Sequence, residues 1–136
     1  MRKLFLLTTI SLNMVGCGGS SSPTAPSSLP AGFSQTQTAT VGAGSSFRHE
    51  TLTTRAGTLT IRLTWQDPTV DLDLWLLDSA CLTVSSACRI VGQSNASAGV
   101  SESISRTVTS GERFQTYVEN LSSTKPQTYT LTVTVD

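Results

Sequence analysis

The chain has one histidine, His49, and contains no Gly-x-Ser-x-Gly, His-Glu-x-x-His or glycine-rich phosphate loop. Its many serines have no motif that supplies a base, so enzyme activity is not expected. A glycosidase-like carboxylate pair would have to be drawn from Asp71, Asp73 and Glu102, for which the sequence gives no geometry. There is no block of Lys and Arg and no basic stripe interleaved with aromatics, and this excludes the electrostatic footprint of a nucleic-acid partner. Two of the three cysteines, Cys81 and Cys88, lie far from His49, so the closely spaced ligand pairs of a structural zinc site are missing as well. Helical periodicity is almost absent from Ser45 onward.

The N-terminus carries an export pattern. Arg2 and Lys3 precede an apolar stretch from Leu4 to Val15, which fits a signal-peptide core and is shorter than the ~20 residues a bilayer span needs. The stretch ends at Met14-Val15-Gly16-Cys17, followed by Gly18-Gly19-Ser20-Ser21-Ser22-Pro23. This junction resembles the lipobox of bacterial lipoproteins, although Met14 stands where leucine is usual. The resemblance implies cleavage before Cys17, lipid on its thiol and attachment to a membrane without spanning it. Two or three acyl chains on one residue anchor stably where one binds only marginally. Gly18 after the cysteine, where the inner-membrane retention rule calls for Asp, points to a cell-envelope location, the outer membrane in a Gram-negative host.

Residues 1–16 are accordingly read as signal peptide, 17–42 as a flexible tether rich in Ser, Thr, Gly and Pro, and 43–136 as one small domain. Loss of Arg2 and Lys3 leaves seven basic against nine acidic residues. In an oxidising compartment Cys81 and Cys88, with six residues between them, are expected to form a disulfide that closes a hairpin loop.

The domain alternates with period two. Leu59, Ile61, Leu63 and Trp65 interleave with Thr58, Thr60, Arg62 and Thr64, and Tyr129, Leu131, Val133 and Val135 interleave with Thr128 to Thr134, the pattern of strands with one face on a core. Further strands are expected over 45–54, 71–77, 89–94, 100–108 and 112–120, separated by turn residues. The fold class is all-β: an antiparallel β-sandwich, jelly-roll-like, of seven or eight short strands, with a barrel as the alternative. The expected core is Leu59, Ile61, Leu63, Leu72, Leu74, Leu76, Ile104, Val108, Phe114, Val118, Tyr129, Leu131 and Val133. The C-terminal strand is expected at a sheet edge.

Leu59 to Trp65 followed by Asp71-Leu72-Asp73-Leu74-Trp75-Leu76, then Ser101-Glu102-Ser103-Ile104, Ser110-Gly111-Glu112-Arg113-Phe114-Gln115-Thr116-Tyr117-Val118 and Tyr129-Thr130-Leu131-Thr132-Val133, resemble in that order the motifs of bacterial pre-peptidase C-terminal domains. The resemblance covers 45–136. It departs from the family at the Cys81–Cys88 hairpin and at Arg113-Phe114-Gln115, where paired aromatics are commoner. It implies a non-catalytic β-sandwich of the kind appended to exported enzymes, some of which, in clostridial collagenases, bind calcium and collagen.

By strand alternation Asp71 and Asp73 share a side about 7 Å apart, opposite Leu72 and Leu74, and Trp75 shares that side. The acidic pair is a candidate calcium site, with Asp67, Asp78 or Glu50 as further oxygen ligands, and solvated surface is the alternative. Trp75 is a candidate for stacking on a sugar or a peptide aromatic, with rim packing as the alternative, while Trp65 continues an apolar face. His49 is expected to be exposed or hydrogen-bonded. The functional reading is a lipid-anchored, non-catalytic binding or accessory module for a polysaccharide or protein substrate of exported enzymes. The alternative is a structural envelope lipoprotein acting through protein contacts.

Overall fold

The computed structural model describes residues 32–97 and 99–136. The expected signal peptide, Cys17 and most of the expected tether lie outside the described residues. Eight strands form in order: β1 Phe33–Val41, β2 Ser46–Leu52, β3 Gly57–Trp65, β4 Leu72–Asp78, β5 Ile90–Ser94, β6 Ser101–Val108, β7 Arg113–Asn120 and β8 Gln127–Val135. They build two four-stranded antiparallel sheets, β1-β8-β3-β6 and β2-β7-β4-β5, packed as a sandwich.

β1 corrects the tether boundary. Residues 33–41 pair along their whole length with β8, from Phe33 opposite Val135 to Val41 opposite Gln127. The segment reads as tether because its inward positions are Phe33, Gln35, Gln37, Ala39 and Val41, too polar on average to show a core face. Pairing to β8 satisfies its backbone where weak apolar patterning alone would not. β1 also corrects the expectation for the C-terminal strand. β8 lies inside its sheet between β1 and β3, and the edges are β1 and β6 in one sheet and β2 and β5 in the other.

Every residue of the expected core is buried, and Val41, Trp65, Val70 and Val135 join it. Alternation is the cause, because inward residues of both sheets meet between the layers while outward residues face water. At Gly92 on β5 the sheets come so close that an added Cβ would stand 2.7 Å from the Ile104 Cγ2 of β6. Asn120, 1% exposed, latches the corner where β7 ends: its Nδ2 donates to the Gly42 and Lys125 carbonyls at 3.2 and 2.7 Å, and its Oδ1 accepts from Ser122 N–H.

A second, smaller cluster forms on the outer side of β4 and β7. Leu77, Tyr117 and Cys81 are buried there, with Trp75, Val84 and Cys88 packed against them. The Cys81–Cys88 disulfide, with Cα atoms 5.6 Å apart, closes the loop between β4 and β5 that covers this cluster. The expected pairing and its hairpin placement are both present.

Candidate functional site

The structure keeps Asp71 within electrostatic reach of Asp73 and brings Glu119 and Glu102 near it as well. Asp71 precedes β4, and Asp73 lies on it opposite Glu119 of β7. Asp73 is 7% exposed, and burial, reinforced by the charges of Asp71, Glu119 and Glu102, pushes its carboxyl up to about 6. The other proposed ligands are occupied elsewhere. Asp67 accepts from the Thr69 hydroxyl and N–H at 2.6 and 2.9 Å and pairs with Lys125 at 3.3 Å, contacts that lower its pKa. Glu50 pairs with Arg113 at 2.8 Å, and Asp78 accepts from Ala80 N–H. Among the described residues no group of three or more His, Cys, Asp or Glu stands as a metal-binding set.

Trp75 shares the Asp73 side of β4, and its indole N–H donates to Glu119 Oε2 at 3.1 Å. Half-buried, it forms the rim of the cluster beneath the disulfide loop, where Tyr117 is 4% exposed and its hydroxyl has no partner among the described residues. Trp65 is buried in the main core, its indole N–H donating to the Val70 carbonyl at 2.8 Å.

The groups best suited to acid–base chemistry are tied into the framework. Glu102, 3% exposed, accepts from the Ser94 hydroxyl and from Ala96 N–H. His49 lies between the sheets, Nδ1 at 3.0 Å from Gln37 Oε1 and Nε2 at 2.7 Å from the Tyr129 hydroxyl. Burial lowers the His49 pKa below its ordinary 6.5 and pushes the Tyr129 phenol up.

Sequence reasoning did not single out the outer face of the β1-β8-β3-β6 sheet. The signal was present in each strand as the polar half of the alternation, but it reads there as ordinary solvent-facing threonine. A groove of about 350 Å³ opens on this side, lined by Thr38, Thr64, Thr128 and Thr130 together with Gln66 and Gln127, and backed by Trp65 and Tyr129.

No family model matches the chain, and no curated protein matches it. Solved structures do. A mitogen from Yersinia pseudotuberculosis aligns at 21% identity with a TM-score of 0.56, covering 76% of this chain and 86% of its own. The pre-peptidase C-terminal domain of a Bacillus anthracis collagenase aligns at 14% identity and a TM-score of 0.56, covering 73% and 87%. A periplasmic inhibitor of g-type lysozyme from Aeromonas hydrophila aligns at 6% identity and a TM-score of 0.59, covering 78% and 89%. The fold is that of a pre-peptidase C-terminal-like β-sandwich. At these identities the likeness concerns fold alone, and the same architecture serves a mitogen, an appended peptidase domain and an inhibitor.

Proposed function

We propose that this chain is a non-catalytic binding or accessory module held at the cell envelope by lipid on Cys17. One observation carries the reading. His49, Glu102 and Asp67 are each engaged in the framework, whereas the β1-β8-β3-β6 sheet presents its outward face to solvent. A scaffold that fixes its acids and bases and leaves a broad surface open is built for contact. The pre-peptidase C-terminal-like fold supports the accessory role, and the Met14-Val15-Gly16-Cys17 junction supports the anchor, with the outer membrane as its destination in a Gram-negative host. The ligand in this reading is a polysaccharide or protein substrate of an exported enzyme.

Co-sedimentation of the mature chain with insoluble polysaccharides and with collagen fibres tests the reading. It predicts partition into at least one pellet. A chain that stays in every supernatant and instead pulls a stoichiometric protein partner from envelope extracts would be a structural lipoprotein.

A further inference from the structure

We propose that the outer face of the β1-β8-β3-β6 sheet is the ligand-binding surface, that its groove at Thr38, Thr64, Thr128 and Thr130 is the principal subsite, and that the ligand is a neutral polysaccharide. This rests on the binding-module reading and adds to it a location and a ligand class.

The face is assembled from segments far apart in the chain. Its outward positions are 34, 36, 38 and 40 on β1, 128, 130, 132 and 134 on β8, 58, 60, 62 and 64 on β3, and 101, 103, 105 and 107 on β6. Fifteen of these sixteen are Ser or Thr, and the exception is Arg62. Register places the hydroxyls in rows: Thr38, Thr130, Thr64 and Ser101 stand side by side on four adjacent strands. Neighbours in a row are about 4.8 Å apart and successive rows about 6.7 Å apart, so the surface is a repeating grid of hydroxyls.

Each hydroxyl both donates and accepts, as do the hydroxyls of a sugar. Some of the grid is internally satisfied: Thr40 and Thr128 hydroxyls lie 2.7 Å apart, and Thr36 and Thr132 hydroxyls 3.4 Å apart. Thr38 and Thr130, opposite each other in the groove, have no side-chain hydrogen bond among the described residues. Gln127, 8% exposed at the groove end, donates its amide to the Thr128 carbonyl at 2.7 Å. The volume of about 350 Å³ falls in the range of small-ligand pockets and exceeds a shallow surface dimple.

Charge selects the ligand. With one cation in sixteen positions the face offers nothing to the phosphates of a nucleic acid or the carboxylates of an acidic glycan, which require clustered Lys and Arg. A protein partner fits poorly too, because the centre of a protein interface is enriched in aromatic residues, Met and Arg, and none of the sixteen outward positions is aromatic or Met. What remains complementary is an uncharged, hydroxyl-rich chain that repeats along the grid. Lacking a stacking platform, each sugar is held weakly by hydrogen bonds, and affinity accumulates as successive units engage successive rows.

Affinity electrophoresis of the mature chain tests this, in native gels cast with a mixed-linkage β-glucan, a galactomannan or dextran, with alginate as the acidic control and a polymer-free gel as the mobility reference. Retardation is expected in at least one neutral gel and not in alginate. Thr130→Glu and Thr38→Glu are expected to weaken it at least tenfold, Thr130→Val to reduce it, and Asp73→Asn to leave it unchanged. Unaltered far-ultraviolet circular dichroism establishes that the variants fold, and Thr130→Val, which keeps size and shape, reads the hydroxyl without added charge. Retardation that survives all three threonine variants places the site elsewhere and overturns the assignment, while leaving the binding-module reading intact. Retardation in alginate alone overturns the neutral class. Sedimentation with collagen and no retardation in any gel overturns the polysaccharide ligand in favour of protein, and binding to nothing overturns both readings.

Discussion

His49 Nε2 stands 2.7 Å from the Tyr129 hydroxyl, a contact that links the two sheets through the core. His49 belongs to β2 and Tyr129 to β8, with Gln37 of β1 holding the other ring nitrogen at 3.0 Å. Tyr129→Phe removes one partner from a buried imidazole and is expected to cost about 1–3 kcal/mol in urea denaturation at pH 7.5. A change within experimental error would show that water replaces the phenol.

The same histidine sets a pH dependence. Its folded pKa is depressed below 6.5, so the unfolded chain takes up the proton first and stability falls as pH drops through about 6.5. Asp73 acts in the opposite sense. Its folded pKa is raised from 3.8 to about 6, so its contribution is fully present below about 4 and is lost as pH rises through about 6. Asp73→Asn is therefore expected to stabilise the protein at pH 7.5 and to make little difference near pH 4. In that variant the denaturation midpoint should fall steadily from pH 7.5 to 5, because the histidine is no longer opposed. Identical pH profiles for the two proteins would refute the assignment of Asp73 as a buried, repelled carboxyl.

Calcium at millimolar concentration is expected to leave the melting temperature in place, since no group of three or more His, Cys, Asp or Glu stands as a ligand set among the described residues. A ligand bound only by the folded state at a hundredfold excess over Kd would add about 2.7 kcal/mol, an effect that differential scanning calorimetry detects readily. A rise abolished by Asp73→Asn would mean that the carboxylates rearrange around the ion.

Reduction of Cys81–Cys88, or its replacement by serines, frees a short loop and is expected to lower stability by about 2–3 kcal/mol. Because the loop covers Leu77 and Tyr117, the reduced protein should also bind a hydrophobic dye more strongly. Non-reducing peptide mapping should recover the linked pair, and free alkylation of both thiols in unreduced protein would contradict it.

Where the sheets meet at Gly92, Gly92→Ala places a methyl against Ile104 and is expected to cost about 1–3 kcal/mol. Ile104→Ala makes room for it, so the double variant should cost less than the sum of the single ones. Additive effects would show that the two positions do not touch.

The proposed anchor has its own test: intact-mass analysis of the membrane fraction should find a chain beginning at acylated Cys17, and Cys17→Ser should release the protein from the membrane. A soluble product with unmodified Cys17 would overturn the envelope anchoring.

The sequence by itself determined the strands of strong alternation, the core they bury and the disulfide. Side chains in a strand repeat every two residues, so Leu59-Thr-Ile-Arg-Leu-Thr-Trp65 states its buried face in its own letters, and two cysteines with six residues between them lie close enough in the chain to close one hairpin loop. Sheet order was not legible, because which strand lies beside which depends on packing between residues remote in sequence. β1 escaped notice for that reason. Its inward Gln37 makes sense only once His49 of β2 is seen across the core from it. The threonine face was likewise legible only strand by strand. Residues 34–40, 58–64, 101–107 and 128–134 become one surface when β8 inserts between β1 and β3 and β6 pairs on the far side of β3, and only that tertiary arrangement turns solvent-facing threonines into a continuous grid.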